Sequence, residues 1–453
     1  MNKKGLIGMI TVVILSMIVK IWWINNIPLS PVYDFETFYR VAVNLFEGKG
    51  FSLDGYPWAF QSYGYPLFLS LFFRLVNDCS VFSAKVFNVI CSVCTLPFIY
   101  FIFDKVFKKK SVLWLCFIVF AFMPNNLIYT NVLGSEILSV LLFSIIICMN
   151  LYMTEKNKIW NFGVQGILVG LLSLVKPFFM AFPIVLIFIY FIKEKQIKKL
   201  CVTGVSLIVG FMIILVPSTI KNYNAFGKAF PISYNGGYTL YINNNSENVR
   251  GTWMNAFKVP ATEEFKQKLA DVGFIYDVDH ITEKTQNLRN AYSGDIFKDE
   301  AVKWIISHPG EFFTLGCLRI VNVFFDGAAD VLLWGFEDFS NMTIQDNRVF
   351  KVFLGFADTI MYVISASFIF VLVLNIKSIF LKKTDISVLL TVWSMLFFYA
   401  VYFVIEGQAR YNFPTIFLML ICFGWLFEKV LPEQENQNTS TFGGKKHDKR
   451  KAK

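Results

Sequence analysis

The sequence predicts an all-α, polytopic membrane protein with about ten transmembrane helices, in a range of roughly nine to thirteen. Of its 453 residues, 55% are hydrophobic and only 16% are charged, whereas soluble domains average about 45–50% and about 25%. Aromatic residues make up 18%, with 51 Phe. Several apolar runs reach the roughly 20 residues that cross a bilayer. This balance excludes a disordered chain and an ordinary soluble enzyme.

The beginning of the chain predicts one span followed by a membrane-associated loop. Residues 5–27 are too long for a signal-peptide core and lack a following cleavage site, so we expect a retained span with a cytoplasmic N-terminus. The external loop, residues 28–82, contains two shorter apolar stretches. Residues 35–46 repeat apolar side chains at the spacing of an interfacial helix, and residues 65–76 predict a second one.

Lysines alternate between the connections of the later spans and predict their orientation. The lysine-rich connections are expected in the cytoplasm, and they contain Lys105, Lys108, Lys109, Lys110, Lys156, Lys158, Lys193, Lys195, Lys198 and Lys199. The predicted spans share long apolar runs and lie at residues 84–106, 112–129, 132–153, 161–175, 178–193, 199–219, 352–376, 386–404 and 412–428.

The chain is therefore divided into four parts. Residues 1–219 form an N-terminal transmembrane module, and residues 220–350 are mixed in charge and predict an external loop or small domain. Within the second part, residues 312–336 are apolar but interrupted by charges, which predicts an interfacial or re-entrant helix. Residues 351–430 form the C-terminal transmembrane helices, and the basic tail, residues 431–453, is expected in the cytoplasm.

Charge and cysteine usage exclude two classes of function. The net charge of +10 comes largely from lysines in short connections, and no nucleic-acid-binding module is visible, so we expect no nucleic-acid partner. Cys91 and Cys94 form a C-x-x-C inside a predicted span, without a second pair or a nearby His. With three His in the whole chain, the sequence does not predict a zinc site.

Ionisable side chains near span ends are costly at membrane depth and are therefore functional candidates. Those on the predicted external side are Asp34, Glu36, Lys85, Glu136, Lys176, Lys221, Glu406 and Arg410. A carboxylate can accept the proton of an attacking hydroxyl, and basic groups can hold a phosphate while charge develops on it. Acid and base together at one membrane face suit a reaction on a lipid-anchored anionic substrate.

The same residues have structural interpretations. Asp34 could cap the helix that begins at residue 35, and Glu136 could stabilise the N-terminus of its span. The lysines could anchor span ends at the interface. Arg410 could form an internal salt bridge with Glu406.

These residues fall into short motifs whose order is more specific than any one of them. The motifs are Tyr33-Asp34-Phe35-Glu36-Thr37-Phe38-Tyr39, then Gly48 and Gly50, Tyr65-Pro66-Leu67, Lys85 with Asn88, Ser135-Glu136, Lys176-Pro177, residues 304–313 and residues 406–414. In this order the sequence resembles the GT-C superfamily of membrane glycosyltransferases that use lipid-linked sugars. It looks most like the branch of the protein O-mannosyltransferases and the aminoarabinose transferase of lipid A. In one departure, Phe35 separates two acids that many members have side by side.

The resemblance, which extends over most of residues 5–428, implies inverting transfer of a sugar from a polyprenyl-phosphate donor to an acceptor hydroxyl. The acceptor would be a glycan, a lipid or a protein at the outer face of the cytoplasmic membrane. The implied catalytic residues are Asp34 and Glu36. The implied ligands of the donor phosphate are Lys85, Arg410 and Lys176. The further site candidates are Tyr39, Glu136, Tyr411 and Lys221. No cofactor is implied with certainty, but a divalent cation on Asp34 and Glu36 stays open.

Two other functions also stay open. A flippase or transporter of lipid-linked sugars would place charges near the bilayer midplane. A polysaccharide polymerase or ligase would rely on basic residues rather than on an acidic first loop. Richness in Phe, Ile, Lys and Asn indicates an A/T-rich bacterial genome.

Overall fold

The computed structural model describes residues 3–27, 29–153, 159–194, 196–276, 290–336 and 348–432. These residues are mostly helical, as predicted. The helices are α1 Lys3–Asn26, α2 Tyr33–Phe46, α3 Gly64–Val76, α4 Val81–Val106, α5 Lys110–Phe122, α6 Pro124–Ile128, α7 Glu136–Met153, α8 Ile159–Val175, α9 Phe182–Lys193, α10 Ile197–Phe226, α11 Gly236–Asn243, α12 Glu263–Asp271, α13 Ser293–Ser307, α14 Pro309–Phe324, α15 Ala329–Phe336, α16 Arg348–Asn375, α17 Ile386–Val404 and α18 Ile416–Val430.

Short elements connect these helices. The 3₁₀ segments are Tyr129–Asn131, Pro177–Ala181, Ala256–Lys258, Ser378–Phe380 and Ala409–Thr415. Strands β1 (Ser52–Leu53) and β2 (Tyr56–Pro57) pair antiparallel in the first loop. Some predicted cytoplasmic features lie outside the described residues, namely Lys156, Lys158, Lys195 and the basic residues of the C-terminal tail.

The described helices show a multi-pass membrane protein. Six of them are long and apolar enough to span a bilayer, and a seventh span results if α5 and Pro124–Asn131, bent by 42°, are counted together. The shorter apolar helices are Gly64–Val76, Glu136–Tyr152, Ile159–Val175 and Pro177–Lys193. Helix length and composition therefore do not confirm about ten spans, and this number stays a prediction.

Proline ends two of the apolar helices, α5 and α8. A residue before proline avoids the helical region because the proline ring clashes with it. Met123 (ψ 143°) ends α5 before Pro124, and Lys176 (ψ 104°) separates α8 from the 3₁₀ turn that begins at Pro177. The polar Lys176 therefore lies at a helix break and not on a continuous helix face.

The first loop has the predicted amphipathic helix, which begins two residues earlier than expected. α2 buries Phe35, Ala42 and Leu45, whereas Arg40 is exposed. Its N-cap is Val32, which has no side-chain capping bond. The interpretation of Asp34 as the N-cap is therefore wrong, because Asp34 lies inside the first turn.

The predicted element 312–336 is broken into α14 and α15, and neither belongs to the six long apolar helices. Arg319, which interrupts the apolar pattern, is fully buried on α14. Its guanidinium donates to the carbonyl oxygen of Phe403 at 2.7 Å and to Oδ1 of Asn244 at 2.9 Å. One buried arginine thus ties α14 to α17 and to the end of α11.

The region between α10 and α14 has a small apolar cluster of its own. Tyr241, Phe265, Phe297 and Ala301 belong to this cluster, which is separate from the main core. Helix α10 itself continues to Phe226, seven residues beyond the predicted end of the span. The external position of this region stays a prediction.

Helices α8 and α10 approach each other closely through glycines. A Cβ atom added at Gly166 would lie 2.0 Å from the carbonyl oxygen of Leu207, and one at Gly210 would lie 2.0 Å from that of Gly163. Small residues allow such backbone contact between membrane helices. The close packing fixes α8, whose C-terminal end leads into Lys176.

We predict that Gly210→Ala destabilises the protein by about 1–3 kcal/mol, because the added methyl group overlaps backbone that cannot move away without separating the helices. Thermal unfolding of the purified protein measures the effect. Gly204→Ala on the same helix is the matched control, since its nearest neighbour atom is 3.9 Å away. Equal losses of thermal stability in both variants contradict the prediction.

Candidate functional site

One cavity of about 220 Å³ gathers most of the predicted ionisable residues. We call it the site cavity. Its charged lining residues are Asp34, Glu136, Lys176, Glu406 and Arg410, and Tyr411 lies beside them. Aromatic and aliphatic side chains complete the lining, among them Phe35, Phe38, Phe178, Tyr402 and Ile405. A polar centre inside apolar walls suits a substrate that has a charged headgroup on a lipid chain.

Four of the charged groups of the site cavity lie where a helix begins or is interrupted. Asp34 is in the first turn of α2, and Glu136 is the first residue of α7. Lys176 precedes a 3₁₀ turn, and Arg410 lies within another. Helix ends leave backbone groups unpaired and bring the chain to the membrane face, so charged side chains cost less there than at mid-span.

Glu136 and Lys176 form a buried ion pair at the back of the cavity. The Lys176 Nζ donates to Glu136 Oε1 at 2.8 Å, and the two side chains are 11% and 4% exposed, respectively. The Lys176 Nζ also lies 5.4 Å from the ring centroid of Tyr411. Lys176 is thus not an interfacial anchor, because its ammonium group points to a carboxylate inside the protein.

Asp34 and Arg410 form a looser pair at the cavity mouth. Asp34 Oδ2 lies 3.6 Å from Arg410 Nη2, and the Asp34 side chain is 54% exposed, against 11% for Arg410. Asp34 Oδ1 accepts a hydrogen bond from Gln61 Nε2 at 2.6 Å. The guanidinium carbon lies 5.3 Å from the Phe35 ring centroid and 5.4 Å from that of Tyr411. An accessible carboxylate therefore stands beside a guanidinium that aromatic rings hold in place.

Glu406 accepts hydrogen bonds from neutral side chains and does not form the salt bridge with Arg410 that the sequence left as an alternative. Its carboxylate accepts from the Tyr411 hydroxyl at 2.8 Å and from Gln408 Nε2 at 2.7 Å. Burial raises the pKa of the Glu406 carboxyl, and the nearby Asp34 charge adds to this. Among the described residues, the ion pair of Arg410 is with Asp34, so the alternative interpretation of Arg410 as the partner of Glu406 is wrong.

Four predicted site residues do not line the site cavity. Glu36 is exposed on α2, since two residues along a helix turn the side chain by about 200° away from Asp34. Lys85 is buried on α4. The Tyr39 hydroxyl donates to the carbonyl oxygen of Cys79 at 2.7 Å. Lys221 Nζ lies 3.3 Å from the ring centroid of Tyr63.

Two contacts of the site were not predicted from the sequence. Gln61, which holds Asp34, is a single glutamine in a loop and belongs to none of the recognised motifs. Asp330 accepts from the Arg410 backbone N–H at 3.2 Å, and from the Trp334 Nε1–H at 2.6 Å. Asp330 carried a signal, because an acid within an apolar stretch is a functional candidate by default.

The described residues do not fit a metal centre. No group of three or more His, Cys, Asp or Glu side chains in the described part of the chain is arranged to hold an ion. The Asp34–Glu36 pair is split between the cavity and the surface, and Asp34 is engaged by Gln61 and Arg410. We therefore derive no step through a metal ion.

Part of the chain matches a known protein family. Residues 61–220 match the family model described as dolichyl-phosphate-mannose-protein mannosyltransferase. That segment contains Gln61, Glu136 and Lys176. No curated protein matches the chain significantly.

The fold is similar to that of an oligosaccharyltransferase from the archaeon Archaeoglobus fulgidus. A structure of this enzyme, AglB, with an inhibitory peptide and a dolichol-phosphate is 13% identical, has a TM-score of 0.53 and covers 94% of this chain. A crystal structure with a tethered acceptor peptide gives 13% identity, a TM-score of 0.52 and 93% coverage. The chain spans about half the length of these structures (51% and 50%). Together, the family match and the shared fold confirm the resemblance to the GT-C superfamily of membrane glycosyltransferases.

Proposed function

We propose that the protein is an inverting glycosyltransferase that moves a sugar from a polyprenyl-phosphate donor to an acceptor hydroxyl. The observation that supports this most strongly is the juxtaposition in one cavity of an accessible carboxylate, Asp34, and a buried guanidinium, Arg410. The carboxylate can accept a proton, and the guanidinium can bind a phosphate. The match of residues 61–220 to a mannosyltransferase family supports the same chemistry.

In the proposed reaction, Asp34 acts as the general base. It accepts the proton of the acceptor hydroxyl while that oxygen bonds to the anomeric carbon of the sugar. The bond between this carbon and the phosphate oxygen breaks from the opposite side, so the anomeric configuration inverts. The electron pair stays on the phosphate oxygen, and Arg410 and Lys176 stabilise the added negative charge.

Other side chains of the site cavity position Asp34, Arg410 and Lys176. Gln61 orients the Asp34 carboxylate through its 2.6 Å hydrogen bond. Glu406 holds Tyr411, whose ring lies beside both Arg410 and Lys176. Glu136 holds Lys176 at the back of the cavity.

The resemblance also assigns Lys85 to the donor phosphate and Glu36 to catalysis. Lys85 is only 4% exposed and does not line the site cavity, so we assign the phosphate to Arg410 and Lys176 instead. Glu36 is exposed outside the cavity, so we assign the base to Asp34 alone.

The membrane arrangement of the proposal follows the lysine pattern. The site cavity would face the outer leaflet of the cytoplasmic membrane of a bacterium, with both termini in the cytoplasm. Ten spans result if the bent pair of α5 and Pro124–Asn131 counts as one span and the shorter apolar helices other than Gly64–Val76 cross as well. The polyprenyl chain would lie against the apolar wall of the cavity, and the acceptor would be a surface glycan, a lipid or a protein.

We expect Asp34→Asn to lower sugar transfer by about 10²–10⁴-fold, because the amide keeps the size of the side chain but cannot accept the proton. Cells without the gene should lack one sugar branch of their surface glycans. The measurement is the amount of this branch that returns after complementation with each variant. Binding of radiolabelled polyprenyl-phosphate sugar to purified Asp34→Asn should stay near the wild-type level.

The matched control is Glu47→Gln in the same loop. Glu47 is exposed, and its one ion pair within the described part of the chain is with Lys49 at the surface, an interaction that contributes little. This control should restore the glycan branch fully. If Asp34→Asn restores it at the wild-type rate, Asp34 is not the base.

We expect Arg410→Gln to lower kcat/KM for the donor by about 10²–10³-fold, because it removes the charge that the departing phosphate needs. Arg410→Lys keeps the positive charge but cannot bind the phosphate in a bidentate way, so it should lower kcat/KM less than Arg410→Gln does. Steady-state transfer from a radiolabelled donor measures both variants, with thermal unfolding as a check of folding. A folded Arg410→Gln protein with wild-type kinetics contradicts the assignment.

We expect Glu136→Gln to destabilise the protein by about 3–5 kcal/mol, because it leaves the Lys176 ammonium buried without a counter-charge. The double variant Glu136→Gln/Lys176→Met should recover most of the thermal stability, since both charges are removed. If Lys176 also binds the donor phosphate, the double variant regains its stability but binds the radiolabelled donor more weakly than the wild type does. Wild-type donor affinity in the double variant would restrict Lys176 to a structural role.

A further inference from the structure

A second cavity, of about 680 Å³, lies at the far ends of helices that build the site cavity. We call it the basic cavity. Helix α8 contributes Val175 to the site cavity and Ile159 to the basic cavity, and α17 contributes Tyr402 and Ile386 in the same way. Helices of 17 and 19 residues are about 25–30 Å long at 1.5 Å per residue. That length matches the hydrocarbon thickness of a bilayer, so the basic cavity lies at the opposite membrane face.

The acidic residues of the basic cavity are engaged locally. Glu194 Oε2 lies 3.5 Å from Lys199 Nζ. Asp385 accepts from the Ser387 backbone N–H at 2.8 Å and so caps α17. The lining contains four lysines against these two carboxylates, so an excess of positive charge remains.

Two lysines of the basic cavity keep an uncompensated charge. Lys193 Nζ donates to the carbonyl oxygens of Lys382 at 3.1 Å and Thr384 at 2.7 Å, which fixes the loop that holds Lys383. Lys383 and Lys198 both line the cavity and are exposed. Among the described residues, neither of these two lysines forms an ion pair. The cavity is therefore built to receive an anion.

The rest of the lining is apolar and reaches the lipid-facing surface. Its apolar members are Ile159, Phe162, Leu200, Val202 and Ile386. The side chains of Ile159 and Val202 are 54% and 43% exposed, respectively. The Phe162 and Tyr190 rings pack edge to face, with centroids 5.0 Å apart, and make a rigid part of the wall. An acyl chain can pack against this apolar wall, whereas a small soluble anion cannot.

We propose that the basic cavity binds an anionic glycerophospholipid from the leaflet opposite the site cavity. Lys198 and Lys383 hold the headgroup phosphate, and an acyl chain lies along the apolar wall. Basic pockets between transmembrane helices bind anionic headgroups by this combination of charge and apolar contact. Because α8 and α17 also contribute to the site cavity, the bound lipid stabilises the helices that support it.

Native mass spectrometry of the purified full-length protein tests this proposal. The protein is titrated with phosphatidylglycerol or with phosphatidylcholine of the same acyl chains. We expect tighter retention of phosphatidylglycerol, and about 30-fold weaker retention by Lys198→Gln/Lys383→Gln, the loss expected for two lysines that face an anionic headgroup. Thermal unfolding should show a stabilisation by phosphatidylglycerol that this double variant loses.

The matched control is Lys377→Gln/Lys429→Gln, which removes two exposed lysines that do not line the basic cavity. This control should bind phosphatidylglycerol like the wild type. Equal losses in both double variants, or equal retention of both lipids by the wild type, overturn the proposal. Glycerol phosphate is the third arm, and if it stabilises the protein as much as phosphatidylglycerol does, the ligand is not a lipid.

Discussion

The buried ion pair between Glu136 and Lys176 is the interaction on which the site depends. Two charges removed from water are tolerated only when each neutralises the other in close contact, and here 2.8 Å separates the donor and acceptor atoms. The pair links the start of α7 to the break after α8, and so fixes the back of the site cavity. Arg410 and Tyr411 can then pack against it, and Asp34 meets the arginine from the first loop.

Helix interruptions determine where this chemistry lies. Prolines at positions 124 and 177 prevent the preceding residues from continuing a helix, and a 3₁₀ stretch of seven residues holds Arg410. The interruptions at Pro177 and at residues 409–415 place Lys176 and Arg410, respectively, at the ends of apolar helices. The site cavity and the basic cavity lie at opposite ends of α8 and α17.

Much of the fold and part of the site were predictable from the sequence. Apolar runs predicted the helices because burial in lipid requires long apolar segments, and the 3.6-residue period predicted α2. The order of the motifs placed Asp34, Glu136, Lys176 and Arg410 at one site. Local sequence patterns did not identify partners that are distant in the chain. Gln61 and Asp330 belong to no recognised motif. The suggested Glu406–Arg410 bridge was wrong because the carboxylate that pairs with Arg410, that of Asp34, is far away in the chain but near in space.

The sequence by itself determined the membrane class, the amphipathic first loop and the residue types of the chemistry, since these depend on composition and on spacing within a helix. Only the tertiary structure decided which of these residues meet. It brought Asp34 to Arg410, because the first loop and the segment before α18 become neighbours only when the helices pack, and it left Glu36 outside the site cavity. It also built the basic cavity from four helices, since side chains distant in the chain become neighbours only when the helices pack.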